Sequence, residues 1–364
     1  MTKSAPYYTV LAIWLSLAML SACSPAPPLS TTLKLQPQSH ISGLSSQETL
    51  AHTPLAAITF NEQGFLLTLA QDSGRITVFD KYGKEKMSCA VNDPLQVSDA
   101  VSADGLALGT DKEHIYALTG MNRQIQTWRA DGELQEVTPI TVPLSPGDVA
   151  FGRKGTFYHS TEGLSDDSLI VAIDRHGKLA RKVGRINYAE VLQPQQDSIR
   201  QALARGQVPA FLQNSVLVAT GADERLYALH RTRPLLKCFK DGTLLFEKSL
   251  HVPEMEEIQH AVQVRNRLLE VPTTYIPLSY WADMAVAEDG SLYVLLAMQT
   301  HHTLYRLDRD GSVLSKISAR LATAPPKTSG TTVFPSWLNA LRVRSSVVPL
   351  TASGPGLHTR TRRS

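Results

Sequence analysis

The chain has 364 residues, of which 43% are hydrophobic and 19% charged, and its formal net charge is +3. This length and apolar content are enough for one large buried core, and no shift in composition indicates a second compact domain. Residues 319–364 contain seven Lys or Arg and no acid, so the rest of the chain carries 3 minus 7, or −4. Without zinc-finger spacing or aromatic residues among the basic ones, the sequence predicts no nucleic-acid partner.

Residues 1–23 form a secretion signal, with Lys3 as a weakly basic start and an apolar stretch at Val10–Met19. This stretch is shorter than the ~20 residues that a membrane-spanning helix needs. The segment ends at Leu20-Ser21-Ala22-Cys23, which resembles the lipobox of bacterial lipoproteins. The resemblance implies that Cys23 is diacylated and becomes the first residue of the mature protein. An ordinary cleavable signal with an incidental cysteine is the alternative.

The residues after Cys23 indicate where in the cell envelope the protein is located. Ser24 stands where an aspartate would resemble an inner-membrane retention signal, so the resemblance implies the outer membrane, facing the periplasm, if the cell has two membranes. Residues 24–54 are poor in large apolar side chains up to about Leu50 and rich in Ser, Thr, Gln and Pro. Such a composition is typical of a flexible tether.

A short motif closes five successive segments, each of which contains two strand-like runs before it. The motif is a hydrophobic residue, a position that is usually polar or charged, two variable positions and a glycine. Its copies are Phe79–Gly83, Trp128–Gly132, Ile173–Gly177, Leu307–Gly311 and, one residue shorter, Phe239–Gly242. Repetition at this period is typical of a propeller or an array.

The last copy shows the unit most clearly. An apolar alternation at Met284–Glu288 leads to the Asp289-Gly290 turn, and buried runs follow at Leu292–Leu296 and His302–Leu307. A further run, Ser312–Ile317, follows the next Asp-Gly pair. Because glycine supplies the positive φ that a tight hairpin turn needs, the pattern predicts four antiparallel strands per unit.

The closing glycines are 49, 45, 65 and 69 residues apart. A four-stranded blade needs about 40 to 50 residues, so the two long intervals contain insertions. In the first, the pattern predicts a helix at Asp197–Arg205 that ends before Gly206. In the second, it predicts a helix that follows Pro253, with an acidic first turn and with Arg265 and Arg267 towards its end.

The strand pattern and the turns resemble six-bladed β-propellers of the NHL-repeat type over residues 55–318. The resemblance implies an all-β fold of four-stranded antiparallel blades with two short helical insertions, in which five of six blades are visible. The sixth would come from residues 318–350, closed by a strand within Thr32–Ser45, although that region has no matching turn. Residues 319–364 are either a frame-shifted or divergent basic tail or a weakly patterned last blade.

The cysteines other than Cys23 are Cys89 in the first copy and Cys238 in the fourth. Copies one and four lie on opposite sides of a six-bladed ring, and a disulfide requires Cα atoms within about 7 Å. We therefore expect two unpaired and mostly buried thiols.

The insertions locate the expected site. In antiparallel order the loops between second and third strands share one face of the ring with the connections between blades. Both insertions, residues 185–214 and 251–280, therefore lie on the same face as the loop at residues 297–303. Glu257 and His260 at helical i, i+3 spacing, with His301 and His302 in that loop, are weak metal-ligand candidates. Adjacent histidines alternate faces in a strand, so we expect neither a metal nor another cofactor.

Four residues on this face are candidates for binding a partner. Tyr275 and Tyr280 lie where the second insertion ends, and Arg231 and Arg233 lie between the second and third strands of the fourth copy. Aromatic residues with a polar group and arginines are common anchors at interfaces, and an arginine can also contact a carboxylate. The neighbouring Trp281 is predicted to pack in the core.

Motifs of catalysis are missing from the sequence. It contains no Gly-x-Ser-x-Gly elbow and no phosphate-binding glycine-rich loop, and its four tryptophans do not recur as in quinoprotein dehydrogenases. The Glu, Asn and Asp metal set of the lactonases related to senescence marker protein cannot be located. We therefore predict a lipid-anchored, non-catalytic binding or scaffold module for a protein or an envelope polymer. A metal-dependent hydrolase or lyase at the channel mouth is the alternative.

Replacing Cys23 with serine tests the anchor. The processed protein should leave the membrane fraction, because the basic tail contributes only about 1 kcal/mol per Lys or Arg at an anionic surface, and less in salt. Membrane fractionation at high salt measures this, with a mass measurement to confirm that the signal has been cleaved. Unlipidated protein of mature length that stays in the membrane would contradict the lipoprotein assignment.

Overall fold

The computed structural model describes residues 29–31, 55–61, 64–70, 74–80, 82–91, 107–111, 113–119, 124–144, 147–163, 167–186, 196–271, 274–298 and 301–320. Within these ranges the chain is mostly β-strand with two α-helices. The strands form five four-stranded antiparallel blades in a propeller ring. The all-β propeller predicted from the repeats is confirmed.

The strands of each blade follow one another in the sheet in chain order. Blade 1 consists of β2 Leu55–Phe60, β3 Leu66–Ala70, β4 Arg75–Phe79 and β5 Glu85–Ala90. Blade 2 consists of β6 Ala107–Thr110, β7 His114–Thr119, β8 Gln124–Arg129 and β9 Leu134–Pro139. Blade 3 consists of β10 Val149–Phe151, β11 Phe157–Ser160, β12 Ile170–Ile173 and β13 Leu179–Val183. Blade 4 consists of β14 Val216–Thr220, β15 Leu226–His230, β16 Leu235–Lys240 and β17 Thr243–Ser249. Blade 5 consists of β18 Trp281–Val286, β19 Leu292–Leu296, β20 His301–Leu307 and β21 Val313–Arg320.

The blade count corrects the expectation of six, because the described residues contain five. Residues 318–320 belong to β21, and the rest of the segment assigned to a sixth blade lies outside the described residues. The closing strand expected within Thr32–Ser45 also lies outside the described residues. Strand β1, Leu29–Thr31, pairs in parallel with β21 as a fifth strand of blade 5. First strands of consecutive blades contact each other from blade 1 to blade 5. Within the described residues, blades 5 and 1 have no comparable contact between their first strands.

The closing motif has a common geometry. In every blade the register between the third and fourth strands shifts just before the turn, as at Val78 and Phe79 in blade 1. Asp80 Oδ1 then accepts the backbone N–H groups of Tyr82 and Lys84 at 2.9 and 3.0 Å. Asp174 and Asp308 accept the equivalent pairs in blades 3 and 5. An aspartate and a positive-φ glycine therefore form the turn that the repeat encodes.

The hydrophobic core lies between the blades as a series of layers. Alternate residues of one strand enter different layers, as β15 shows: Leu226 and Ala228 pack against blade 3, and Tyr227 and Leu229 pack against blade 5. Trp128 of blade 2 packs against blade 1. Strands β12 and β15 are buried on both faces, whereas the outer strands β13 and β17 are mostly exposed. Each inner blade is thus held from both sides.

The two insertions contain helices α1, Gln196–Ala204, and α2, Glu254–Leu268, close to their predicted positions. Arg200 Nη1 donates to the carbonyl of Leu269 at 2.9 Å, and Arg267 Nε donates to that of Ala204 at 3.0 Å, so the helices are joined at their ends. Glu254 accepts the Tyr305 hydroxyl at 2.9 Å and fixes the start of α2 to blade 5.

The ring has two faces, named here by what they carry. The insertion face carries both helices, the blade-to-blade connections and the loops between second and third strands. The turn face carries the turns between first and second and between third and fourth strands. First and third strands therefore run from the insertion face to the turn face, and second and fourth strands run back.

Cys89 and Cys238 are unpaired, as predicted, with Cys238 buried and Cys89 partly exposed. Burial raises the pKa of each thiol to about 11. No helix in the described part of the chain combines the length and the apolar character that crossing a bilayer requires.

Two turn glycines with the same backbone angle test how closely the blades approach each other. Gly177 has φ +73°, and a Cβ there would lie 2.1 Å from the Pro139 carbonyl oxygen of blade 2. Gly64 has φ +75° and nothing within 4 Å of such a Cβ. Gly64→Ala should lower the free energy of unfolding by about 1 kcal/mol through the backbone angle alone, and Gly177→Ala by about 2 kcal/mol more. Urea denaturation measures both, and equal losses would contradict this blade spacing.

Candidate functional site

Three charged residues from three blades converge on the insertion face. Arg231 lies in the loop between β15 and β16 of blade 4, Glu162 in the loop between β11 and β12 of blade 3, and Asp283 in β18 of blade 5. Each acid affects the pKa of Arg231, and Arg231 affects the pKa of each acid, so the three lie close together. We call Glu162, Arg231 and Asp283 the charged cluster.

Arg231 is fixed by its backbone. Its N–H donates to the Ser215 carbonyl at 2.9 Å, and its carbonyl accepts the Tyr280 N–H at 2.7 Å. These bonds attach the loop to the starts of blades 4 and 5. Burial lowers the pKa of the guanidinium and both acids raise it, but an arginine stays protonated in proteins. In the part of the chain that the structure describes, this guanidinium makes no hydrogen bond or ion pair, although the charges of Glu162 and Asp283 act on it.

Glu162 is held in an unusual conformation. Its φ of +52° lies in the left-handed region that residues other than glycine rarely adopt. The Ser215 hydroxyl donates to Glu162 Oε1 at 2.8 Å. Burial raises the pKa of Glu162, whereas the Ser215 hydrogen bond and the charge of Arg231 lower it, and the net direction is upward. A strained carboxyl with a raised pKa beside a free cation is typical of a functional site.

Asp283 enters the cluster through a β-bulge. The register between β18 and β19 shifts between Trp281 and Asp283. The Asp283 side chain reaches solvent, yet loss of hydration raises its pKa, against the opposing effects of the Met284 N–H and Arg231. The bulge therefore places an exposed carboxylate in the first strand of blade 5.

The two candidate tyrosines differ in their surroundings. Tyr275 is half-buried, and its pKa is raised by burial and then by the charge of Glu162, which places it beside the charged cluster. Tyr280 is only 8% exposed and belongs to the hydrophobic layer between blades 4 and 5. The ring of Tyr280 thus packs inside the wall, and its role as a partner-binding residue stays a prediction. Trp281 is fully buried, as predicted.

The other sequence candidates are not brought into the cluster. Arg233 is half-buried in the same loop as Arg231, where its carbonyl accepts the Leu235 N–H at 2.8 Å. Glu257 and His260 are exposed on α2, and His301 and His302 begin β20. No group of three His, Cys, Asp or Glu residues suited to a metal occurs among the described residues. Cys23 lies outside them.

Sequence reasoning missed Glu162, Asp283 and the buried His230. His230 Nδ1 lies 2.9 Å from the Gln213 carbonyl, Nε2 has no partner, and burial lowers the pKa of the imidazole to about 4. A neutral ring thus lies directly before Arg231. Asp283 could have been found from the sequence, because it is an acidic residue within the apolar alternation of β18. No sequence pattern near Asp283 indicates that it lies close to Glu162.

A depression on the turn face is separate from the cluster. Its volume is about 410 Å³, and Glu113, His114, Arg129 and Asp131 of blade 2 contribute to its wall. It is open to solvent, and its lining residues belong to the turns and strand ends of a single blade. The converging groups on the insertion face therefore make the stronger candidate.

Comparisons with known proteins concern the fold alone. No protein-family model and no curated protein matches the chain. A solved structure of catalytically inactive virginiamycin B lyase from Staphylococcus aureus with quinupristin is 12% identical, with 76% of this chain and 73% of that chain covered and a TM-score of 0.45. A member of the DUF4221 family from Bacteroides vulgatus is 10% identical, with 74% and 82% covered and a TM-score of 0.44. Luciferin-regenerating enzyme is 10% identical, with 74% and 77% covered and a TM-score of 0.41.

The raised pKa of Glu162 generates a prediction about pH. A carboxyl whose pKa is higher in the folded than in the unfolded state stabilises the protein below the unfolded pKa, and this stabilisation is lost as the pH rises through the folded pKa. The variant Glu162→Gln has no such proton to lose. Its free energy of unfolding, relative to the parent, should therefore increase from about pH 4 towards about pH 8. Urea denaturation across this range measures the difference.

Glu256→Gln, an exposed change in the first turn of α2, controls for the loss of a carboxylate at the surface. If the difference between Glu162→Gln and the parent did not change with pH, Glu162 would not be buried in the way described.

Proposed function

We propose that this chain is a lipid-anchored β-propeller of the cell envelope that binds a ligand at the charged cluster without catalysing a reaction. One observation carries the proposal: the Arg231 guanidinium makes no hydrogen bond or ion pair among the described residues, while the charges of two carboxyl groups, Glu162 and Asp283, affect its pKa. Losing hydration around a charge is costly unless the charge gains a partner. A ligand that supplies the partner recovers that cost on binding.

The donors of Arg231 define one half of the ligand. A guanidinium binds a carboxylate or a phosphate through two parallel hydrogen bonds. Glu162 and Asp283 define the other half, because carboxyl groups accept hydrogen bonds from an ammonium or a hydroxyl group. A ligand with an anionic group next to an amine or a hydroxyl satisfies both. A short free peptide has this chemistry, because its ammonium and carboxylate groups are held on one small molecule.

The envelope location rests on the sequence. The Leu-Ser-Ala-Cys segment ending at Cys23 resembles a lipobox, and Ser24 favours the outer membrane of a two-membrane cell. Diacylation provides the two chains that a stable anchor takes, at about 0.8 kcal/mol for each buried methylene. A protein held in this way meets envelope polymers and other envelope proteins at high local concentration.

An enzymatic function is the second candidate, and Glu162 is the observation that favours it. A carboxyl group with a raised pKa is suited to general acid or base catalysis near neutral pH. In a metal-dependent hydrolase or lyase, a metal that binds only the native state would raise the melting temperature by mass action. Melting that depends on calcium or zinc marks this alternative, and melting without such dependence favours the binding module.

Arg231→Gln tests the ligand site, with Arg233→Gln in the same loop as the matched control. The probes are alanyl-alanine, its carboxyl-terminal amide and its N-acetyl form. Alanyl-alanine should raise the melting temperature of the parent and of Arg233→Gln, and Arg231→Gln should bind it at least about tenfold more weakly, because a charged hydrogen-bonded pair is lost.

The modified probes separate the two halves of the site. The amide should fail to bind because it lacks the carboxylate, and the N-acetyl form should bind more weakly because it lacks the ammonium group. Equal behaviour of Arg231→Gln and the parent with every probe, and in pull-downs from envelope extracts, would contradict the proposed site.

A further inference from the structure

The position of β1 restricts where the membrane can lie, if the lipid anchor of the proposed function is correct. Leu29 is six residues after Cys23, and a chain extends at most ~3.6 Å per residue, so the lipidated cysteine can be at most about 22 Å from β1. The tether predicted from composition therefore gives less freedom than its length indicates, because pairing with β21 fixes residues 29–31 at the outer edge of blade 5.

The direction of β1 selects one face. Strand β21 starts after the turn at Asp308–Gly311 on the turn face and runs to the insertion face. Because β1 is parallel to β21, with Leu29 opposite Ser315 and Thr31 opposite Ile317, its amino-terminal end points to the turn face. The amino-terminal end of β1 therefore lies on the turn-face side of blade 5.

Exposed apolar side chains are concentrated on the same side. Of the ten large hydrophobic residues that are exposed in the described part of the chain, six lie in the turns or at the turn-face ends of strands. These six are Phe60, Tyr82, Leu179, Leu244, Leu245 and Leu314. The four leucines lie within the first three residues of the fourth strands of blades 3, 4 and 5. We call these four leucines the apolar rim.

Basic residues border the apolar rim. Arg175, Lys178 and Arg181 are exposed on the third-to-fourth-strand turn and the outer strand of blade 3. One of them has an exposed acidic partner, since Arg181 lies 3.5 Å from Asp241. Exposed apolar side chains next to basic ones match the interface of an anionic bilayer.

We infer that the turn face of blades 3 to 5 lies against an anionic lipid surface, with the apolar rim as its contact. The insertion face, with the charged cluster, then points away from the membrane. This orientation leaves Arg231 open to envelope ligands while the lipid holds the opposite side. The proposed lipid anchor supports this orientation because β1 enters from the turn face. The apolar rim supports it independently of the anchor.

The orientation is tested by energy transfer from single labels to acceptor lipids in vesicles of phosphatidylethanolamine and phosphatidylglycerol. The lipidated protein carries Cys89→Ser and Cys238→Ala, and a donor dye is attached at Glu288→Cys or at Glu256→Cys. Both glutamates are exposed, Glu288 in the first turn of blade 5 on the turn face and Glu256 on α2 on the insertion face. Transfer should be higher from position 288. Equal or reversed transfer overturns the orientation.

The apolar rim is tested without the lipid, so that a failed anchor and a failed rim can be told apart. The processed chain with Cys23→Ser should bind the same vesicles in flotation, and Leu244→Ser with Leu245→Ser should weaken this binding about tenfold. Leu268→Ser is the matched control, because Leu268 is 74% exposed on the insertion face and should not affect binding.

Absence of vesicle binding by the unlipidated chain, or equal losses in the rim variant and the control, overturns the rim as a membrane contact. Failure of the native protein to attach to vesicles through Cys23, with rim binding intact, contradicts the anchor alone.

Discussion

Face-to-face packing of apolar sheets is the constraint on which this structure depends. A strand such as β15 is buried along its whole length because Leu226 and Ala228 enter one layer while Tyr227 and Leu229 enter the next. Full burial of a leucine stabilises a fold by about 2 kcal/mol, so neither face of an inner blade can be left in water at low cost. Blades 2, 3 and 4 therefore need a neighbour on each side, and the ring follows from that need.

The same packing creates the charged cluster. Blade 4 lies between blades 3 and 5, so the loop that carries Arg231 is close enough for its charge to affect the pKa of Glu162 in blade 3 and of Asp283 in blade 5. The backbone bonds of Arg231 to Ser215 and Tyr280, together with the Ser215 hydroxyl bound to Glu162, join all three blades at this point. The enclosed charges and the positive φ of Glu162 lower the free energy of unfolding. Burial of apolar side chains in the layers between the blades offsets this loss. This is the arrangement expected where a rigid scaffold holds a site ready for its ligand.

The sequence predicts the structural features that depend on residues close together in the chain. The turn at Asp174–Gly177, the two buried strands of each blade and the helix after Pro253 have local signals, and the structure has them where the pattern indicates. Contacts between distant segments have no such signal. Arg231 was a candidate, but its acidic neighbours are a whole blade away in the chain, and the burial of Tyr280 depends on how blade 5 packs. The pairing of β1 with β21 was not predicted, because β1 has only three residues, Leu29–Thr31, which is too short for a strand pattern to be visible.

Hydrogen exchange followed residue by residue tests most directly whether the packing of blades 3, 4 and 5 holds the site as one unit. The account predicts that amides in β12, β15 and β19 exchange slowest, at a common rate set by global unfolding, while the exposed outer strands β13 and β17 open earlier. Separate rates for the three blades, or protection of β17 equal to that of β15, would contradict it, because the blades would then be stable without their neighbours.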